Sequence, residues 1–360
     1  MREYRDTTFR AKQSEAPLIC FTVCAPAAVG ASVFSLGLGA GVLFAAAVVV
    51  LVTAGMLASL AHLARPLRAL RSLAHLKSSW LSREILVVAL FWAIAVLWLV
   101  SELGAMEALP QASSGGAFWR HASVACNACA AMVGIALLWV IARAYRVHGQ
   151  PAWNGSDTVW ELVGGAVGSG GAAAAALASW GVLAGVELFP GMGGAGGLGA
   201  ALTAYPAAET ALLLAFLGVV AVCALVASYA LVRFASVRRE RRVEALVQIE
   251  GSPRAFAAQR ELQAQGKPRG YVRLSAVALT LALVALGCAV LTYVFGGAAP
   301  MCAAALVACF LVELAAQAAV RQRFYSLAQH LRYVATRGQR TAAAQRALQE
   351  RALQGTPSRR

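Results

Sequence analysis

Charged residues are scarce in this sequence, and acidic residues are the scarcest of them. Only 13% of the 360 residues are Asp, Glu, Lys or Arg, whereas soluble globular proteins have about a quarter. Hydrophobic residues make up 60% of the chain and the mean hydropathy is +0.67. This composition excludes an ordinary soluble domain and predicts an all-α polytopic membrane protein built as one helical bundle.

Histidine and paired cysteine motifs are also rare, which limits the cofactors that the protein could bind. None of the five histidines is predicted to face another within the bilayer core, so the paired axial ligands of a b-type haem are not expected. Cys126 and Cys129 form a C-x-x-C motif inside an apolar run, without a second motif to complete an iron–sulfur or zinc ligand set. We therefore expect no haem, no iron–sulfur cluster, no metal site and no disulfide in this protein.

Long apolar runs dominate the sequence, and eight of them reach the length of about 20 residues that a bilayer-spanning helix needs. The predicted spans are residues 17–36, 42–64, 84–104, 120–143, 161–187, 207–233, 272–295 and 299–320. The fifth span is rich in Gly and Ala, and its Gly164-xxx-Gly168 spacing is typical of closely packed membrane helices. The sequence thus predicts an eight-helix membrane domain over 17–320, between a polar segment at 1–16 and a basic tail at 321–360.

The positive charges lie in alternate connections between these spans. The segments that together hold 27 of the 31 Lys and Arg residues are 1–16, 65–83, 146–157, 235–270 and 321–360. The connections without any Lys or Arg are 37–41, 105–119, 188–206 and 296–298. By the positive-inside rule, this asymmetry predicts that both termini face the cytoplasm from a bacterial inner membrane. The net charge of +15 is then explained by topology and lipid contact, since no nucleic-acid recognition motif accompanies it.

Two of the predicted cytoplasmic segments are long enough to form structure of their own. Residues 235–270 alternate basic and acidic side chains and contain Gly251-Ser252-Pro253 and Gly266-Lys267-Pro268. These residues predict a short helix, a turn and a second helix. Apolar residues at helical spacing in 321–353 predict a helix with a basic face that lies on the membrane surface. Beyond Arg337, a solvated helical tail is the alternative.

Most acidic residues of the spans lie close to span ends, and Glu313 is the deepest of them. Gln317 and Arg321 follow it at four-residue steps, which places all three on one face of a helix. Such a stripe is either a polar network that holds the last span to the bundle or part of a proton path.

A histidine and a glutamate frame the basic linker between the second and third spans. His62 closes the second span and Glu84 opens the third, so both are expected at the same membrane depth. Ser82 is the predicted N-cap of the third span, which would place Glu84 in the first helical turn, where the helix dipole stabilises a carboxylate. From the residues alone, two interpretations are open. His62 caps a helix or faces headgroups while Glu84 pairs with Arg68 or Arg83, or the two form a functional site at the membrane edge.

The residues around this linker also form a recognisable pattern. The pattern is His62-Leu63, Pro66, Arg68-Ala69, Ser72-Leu73, Ser79, Leu81-Ser82 and Glu84. It resembles the membrane anchor subunit of the dimethyl sulfoxide reductase family, and three shorter segments agree with it. Those segments are Pro17-Leu18-x-x-Phe21-Thr22-Val23, Arg143-x-Tyr145 followed by Pro151-x-Trp153, and Glu313-Leu314 followed by Arg321-x-x-Phe324-Tyr325.

The resemblance implies a three-subunit oxidoreductase of anaerobic respiration. A molybdopterin subunit would act on the substrate, and a four-cluster iron–sulfur subunit with [4Fe–4S] clusters would carry electrons. The anchor would hold both at the membrane and oxidise menaquinol. The quinol-site histidine and glutamate of the family fall on His62 and Glu84, and an ionised Glu84 beside a neutral His62 would accept the protons that quinol oxidation releases. The further candidates for holding the quinol are Arg68, Ser82, Arg143 and Tyr145.

Two other functions stay open. A purely tethering anchor would have no working quinol site, and a small-molecule transporter would show flux without any partner subunit. The sequence departs from the family pattern at Ala64, where the family has Gly, and at Arg71, where Asn is common.

The predicted orientation can be tested with fusions to the C-terminus. An alkaline phosphatase fusion is expected to be inactive and a fluorescent-protein fusion bright, because the positive-inside rule keeps residues 321–360 in the cytoplasm. An active phosphatase fusion together with a dark fluorescent fusion would contradict this orientation.

Overall fold

The structure is a computed structural model that describes residues 15–39, 41–61, 73–108, 114–146, 150–183, 206–251, 253–266, 268–295 and 297–354. These residues form α-helices, one short 3₁₀ helix at Leu73–His75, and no strand. The α-helices are α1 (Ala16–Leu38), α2 (Val42–Ala61), α3 (Trp80–Ala108), α4 (Ser114–Ala144), α5 (Asp157–Leu183), α6 (Pro206–Glu250), α7 (Pro253–Gln265), α8 (Arg269–Phe295) and α9 (Ala299–Gln354). All except α7 are long and apolar enough to cross a membrane, which confirms the predicted eight spans.

Glycines with positive φ end the helices around the charged segment 235–270. Gly251 has φ +56° and Gly266 has φ +57°, in the left-handed region that glycine adopts without steric cost. The Gly251 N–H donates to Val247 O at 3.1 Å, and the Gly266 N–H donates to Leu262 O at 3.2 Å. Both are typical helix C-terminal glycines. The turns predicted from Gly251-Ser252-Pro253 and Gly266-Lys267-Pro268 are therefore confirmed at these glycines.

Two helices are longer than the spans predicted from hydropathy. The first helix expected in 235–270 is not separate, because α6 runs unbroken from Pro206 to Glu250. The helix predicted over 321–353 is likewise the C-terminal part of α9, which continues the last span. Neither extension contains proline, and both are rich in Ala, Arg, Glu and Gln, which favour helix.

Helix α5 is the centre of the bundle. In its most apolar window 83% of the residues are buried, compared with 28–67% for the other spans. It packs mainly against α1, α6 and α9. The prediction from Gly164-xxx-Gly168 is confirmed, since Gly164 lies against Leu231 and Val232 of α6 and Gly168 against Ser228 of α6.

Backbones touch where α1 crosses α5. A methyl group added at Gly30 would overlap the carbonyl oxygen of Ala166 and the Cα atom of Gly170. A methyl group added at Gly170 would overlap the backbone of Gly30 in the same way. Close approach through small residues is how membrane helices gain van der Waals contact without a hydrophobic driving force.

Large apolar side chains face outward and several polar ones face inward. Val50, Leu57 and Met132 are each more than 60% exposed on the outer surface of the bundle. Asn127, in contrast, is buried, and its amide donates to Ser35 Oγ at 2.9 Å between α4 and α1. This distribution suits a bundle surrounded by lipid, because the hydrocarbon solvates the outer apolar surface and buried polar groups bond across helices.

Replacing Gly170 by alanine is expected to destabilise the bundle. The added methyl has no room against Gly30, so we expect a loss of about 1–3 kcal/mol in the free energy of unfolding, as for other overpacked sites. The same substitution at Gly287 of α8 is the matched control, because no atom lies within 4 Å of a methyl group there. Thermal unfolding of the two variants in detergent measures the difference. Equal melting temperatures would contradict the close α1–α5 contact.

Candidate functional site

The start of α3 determines where Glu84 lies. The helix begins at Trp80, and the side-chain oxygen of Ser79 accepts a hydrogen bond from the Ser82 N–H at 3.3 Å. Ser79 is therefore the N-cap, and the prediction that Ser82 caps the helix is wrong. Ser82 is instead the third residue of α3 and is buried. Glu84 consequently lies in the second turn, beyond the first turn where the helix dipole acts most strongly.

The carboxyl group of Glu84 is buried. It is only 7% exposed, and among the described residues no cation lies within ion-pair distance of it. Arg83 turns away from it, because Nε donates to Leu76 O at 2.8 Å and Nη2 donates to Lys77 O at 2.9 Å. The alternative that Glu84 pairs with Arg83 is therefore wrong. His62 and Arg68 lie outside the described residues.

Arg143 is held beside the start of α3 by aromatic rings. Its guanidinium lies 4.8 Å from the ring centroid of Trp80 and 5.6 Å from that of Trp139. The guanidinium of Arg83 lies 4.3 Å from the same Trp80 ring. Cation–π contacts of this kind fix the end of α4 against the start of α3. The same contacts engage the Trp80 ring, which agrees with a role for Trp80 as an anchor at the membrane interface.

Two tyrosines from distant parts of the sequence meet close to Glu84. The hydroxyls of Tyr145, just after α4, and Tyr325, in α9, are 2.5 Å apart. The pKa of Tyr145 is raised well above its ordinary value, mainly because its hydroxyl is desolvated. The neighbouring Tyr325 and the charge of Glu84 raise this pKa further. The Tyr145 phenol therefore stays protonated and can donate a hydrogen bond at any physiological pH. Thr22 of α1 lies beside the Tyr325 hydroxyl.

Aromatic packing holds the loop after α4 against α9. The Trp153 ring stacks on Phe324 with 4.9 Å between centroids and 5° between planes, and its Nε1 donates to Phe324 O at 3.0 Å. The Tyr145 ring packs edge-on against both rings. Three of the segments with family resemblance, those around Thr22, Tyr145 and Phe324, thus meet at one place.

A buried ion cluster lies next to this aromatic group, where α5, α6 and α9 meet. On α5, Glu161 Oε1 is 2.7 Å from Arg239 Nη1 of α6, and Glu161 Oε2 is 3.7 Å from Arg321 Nη1 of α9. One turn earlier, Asp157 Oδ2 is 2.5 Å from Arg242 Nη2 and 3.7 Å from Arg239 Nε. Arg242 also donates to the carbonyl oxygens of the loop that precedes α5. The cluster joins three helices and the loop.

Sequence reasoning missed Asp157, Arg239 and Arg242. A signal was present, because Asp157 and Glu161 are four residues apart and Arg239 and Arg242 are three apart. Each pair therefore shares one face of its helix, with opposite charge to the other pair. A cavity of about 20 Å³ beside Arg239 and Glu161 is far smaller than the roughly 300–1,000 Å³ of small-molecule sites. The cluster is accordingly a structural element beside the site.

The predicted site residues are thus partly brought together. Glu84 lies near enough to Tyr145 for its charge to act on the Tyr145 hydroxyl, and Arg143 stacks on Trp80 at the same end of the bundle. Ser82 supports the start of α3 through its backbone. In the part of the protein that the structure describes, no three His, Cys, Asp or Glu side chains are grouped as metal ligands.

Known proteins resemble the N-terminal half of this protein. Residues 11–189 match the family described as DMSO reductase anchor subunit (DmsC). The C subunit of anaerobic dimethyl sulfoxide reductase from Haemophilus influenzae is 34% identical over 161 residues, which cover 41% of this protein and 53% of that relative. The YnfH subunit of anaerobic dimethyl sulfoxide reductase from Escherichia coli K12 is 33% identical over 159 residues, which cover 40% and 50%. The protein spans about half the length of the curated relatives it matches.

Truncating Glu161 is expected to destabilise the protein strongly. Glu161→Ala leaves Arg239 and Arg321 buried without their carboxylate, and removing one partner of a buried pair costs about 3–5 kcal/mol. Glu240→Ala is the matched control, because its side chain is 49% exposed and lies 3.9 Å from Arg323. That change should cost about 1 kcal/mol or less. Melting temperatures in detergent test the contrast, and similar losses for both variants would refute it.

Proposed function

Because this protein is related to the DMSO reductase anchor subunits, we propose that it anchors a molybdenum oxidoreductase in the bacterial inner membrane and oxidises menaquinol there. Its partners in this proposal are a four-cluster iron–sulfur subunit, which receives the electrons, and a molybdopterin subunit, which reduces the terminal substrate. The clusters and the molybdopterin belong to those partners. The quinol is a substrate of the anchor itself.

The reaction sets the requirements for the site. Oxidation of a quinol releases two electrons and two protons, so the site needs hydrogen-bond partners for two hydroxyl groups and an acceptor for protons. In the proposal, Glu84 accepts the proton of one hydroxyl, a neutral His62 accepts the proton of the other, and the two electrons pass to the iron–sulfur subunit. Ala61 ends α2 immediately before His62, and Glu84 lies in the second turn of α3, which is consistent with a shared membrane depth.

The observation that carries the proposal is the state of Glu84. It is a buried carboxyl group with no ion pair among the described residues, at a position where the family resemblance expects a proton acceptor. A buried ionisable group at a membrane edge is a candidate functional group, and the family resemblance adds to that interpretation of Glu84. Arg83 does not pair with Glu84, which strengthens this interpretation because one structural explanation for the Glu84 carboxyl is eliminated.

Other residues support the two central groups in this proposal. Tyr145 is a hydrogen-bond donor close to Glu84, and it is the described residue best suited to orient a quinol hydroxyl. Arg143 fixes the end of α4 through its stacking on Trp80. Arg68 is proposed to contribute from the basic linker, and Ser82 to hold the first turns of α3.

The charge distribution suggests the membrane side of the site. The Glu84 end of the bundle is also the end at which Arg239, Arg242 and the extension of α6 lie, so it is the end rich in basic residues. By the positive-inside rule we propose that this end, with both termini, faces the cytoplasm. The iron–sulfur subunit would then dock on the same side, within reach of the quinol electrons.

Glu84→Gln and His62→Leu are each expected to abolish quinol-driven turnover in the purified complex. Gln keeps the size and hydrogen bonding of Glu but accepts no proton, so a loss of about a hundredfold or more is expected. Leu removes both ring nitrogens of His62 and keeps apolar bulk. The measurement is the rate of menaquinol oxidation coupled to substrate reduction, with iron and molybdenum content as the check that the partners are present.

Glu102→Gln is the matched control, because Glu102 is a buried glutamate at the other end of α3, bound by Trp98 and Ser123. It lies about 27 Å from Glu84 along the helix. The Glu102→Gln variant should retain quinol-driven turnover. An artificial electron donor that bypasses the quinol should support full activity in all three variants. Loss of bypass activity together with quinol activity would make His62 and Glu84 structural. Full quinol activity in both variants would mean that the quinol pocket lies elsewhere in the protein.

A further inference from the structure

A stripe of buried polar side chains runs along α9. Glu313, Gln317, Arg321 and Tyr325 follow one another at four-residue steps and are each 1–3% exposed. The stripe covers about 18 Å of the helix axis. Its first three members were predicted to share one helix face, and the structure confirms that they do. Tyr325 extends the stripe to Tyr145 and the neighbourhood of Glu84.

Helix α5 packs against the polar stripe and leaves room for its side chains. Glu161 lies opposite Arg321. A methyl group added at Gly165 would lie 3.2 Å from Gln317 Oε1, and one added at Gly168 would lie 2.6 Å from Glu313 Oε1. The two glycines therefore make space for polar groups. Gly164, in contrast, faces the apolar side chains of Leu231 and Val232.

Glu313 has the one carboxyl group of the stripe, and its hydrogen-bond partners are neutral. Gln317 Nε2 donates to Oε1 at 2.7 Å, and Ser228 Oγ of α6 donates to the same oxygen at 3.3 Å. The other titratable groups near it are Tyr271 of α8 and Cys309, one turn earlier on α9. No Lys or Arg among the described residues lies within ion-pair distance of it, since Arg321 faces Glu161.

This environment favours a carboxyl group that carries a proton. An ionised carboxylate in the hydrocarbon interior needs a cation, a metal or several charged hydrogen bonds to offset its desolvation. Glu313 has none of these in the described structure. Gln317 and Ser228 can bond equally well to the carbonyl oxygen of a neutral acid. The missing side chain at Gly168 gives that acid space between α5, α6 and α9.

We propose that Glu313 is a proton-binding site in the membrane interior and that the polar stripe is its route of exchange. The proton on the carboxyl oxygen leaves toward the Tyr325 end of α9 and is replaced from the same end, so no charge is created or lost over a cycle. The seam between the stripe and the two glycines of α5 provides the polar surroundings for this exchange. The site goes beyond quinol oxidation and does not require it.

Infrared spectroscopy of the full-length protein in lipid nanodiscs tests the site. The difference between the wild-type and Glu313→Gln spectra at neutral pH should contain the carbonyl stretch of a protonated carboxylic acid, which shifts when H₂O is replaced by D₂O. Glu313→Asp should keep the stretch at a changed frequency, which preserves the test if the Gln variant does not fold. A difference spectrum with only carboxylate bands would overturn the proposal.

The rate of the D₂O shift tests the route. Gln317→Leu replaces the amide between Glu313 and Arg321 with apolar bulk, so the exchange of the Glu313 proton should slow by about tenfold or more. Gln322→Leu is the control on the same helix, because Gln322 is exposed on another face. In this control variant the Glu313 proton should exchange as fast as in the wild type. Equal rates in the Gln317→Leu variant and the wild type would overturn the route. Neither measurement depends on quinol turnover, so the two proposals can fail separately.

Discussion

The carboxylate of Glu161 faces two arginines from two different helices, and the arrangement of the candidate site depends on it. Arg239 fixes α6 to α5, and Arg321 fixes α9 to the same point of α5. Because Arg321 is four residues before Tyr325, this contact also sets the position of the tyrosine pair beside Glu84. Two buried cations require at least one buried anion close by. The bundle therefore assembles around a charge balance as well as around apolar contact.

The parts of the fold that sequence predicted are those controlled by local rules. The bilayer sets the length of an apolar run, so the eight spans could be identified. Positive-φ glycines end helices, so Gly251 and Gly266 located the turns around α7. The stripe from Glu313 to Arg321 followed from helical periodicity. Ser82 was a different case, because Ser79 and Ser82 are both good N-caps, and the contacts of Trp80 with Arg83 and Arg143 accompany the earlier start.

The parts that sequence did not predict depend on contacts between distant residues. Glu161 and Arg239 are separated by 78 residues and Asp157 and Arg242 by 85, and no local spacing states which basic residue will meet which acid. Of the candidate site, Glu84 and Tyr145 could be selected through the family resemblance. Tyr325 could not be connected to them from sequence, because the connection depends on α9 packing against α1 and on its contact with Tyr145, just after α4. The matched residues 11–189 contain Glu84 and Tyr145, whereas Tyr325 and Arg239 lie outside them.

The length of α6 limits how another protein can approach this end of the bundle. Glu250 is eight residues beyond Arg242, the last member of the buried ion cluster on α6, so the helix extends about 12 Å past the cluster. The return helix α7 packs Ala258 and Leu262 against Val243 of α6 and Leu327 of α9, which braces the projection from the side. The extension of α6 is therefore a supported helix that projects beyond the ion cluster. A partner with a large flat surface would meet this extension before it reached the Glu84 end of the bundle. A docking protein must therefore have a groove that accepts the extension, or bind beside it.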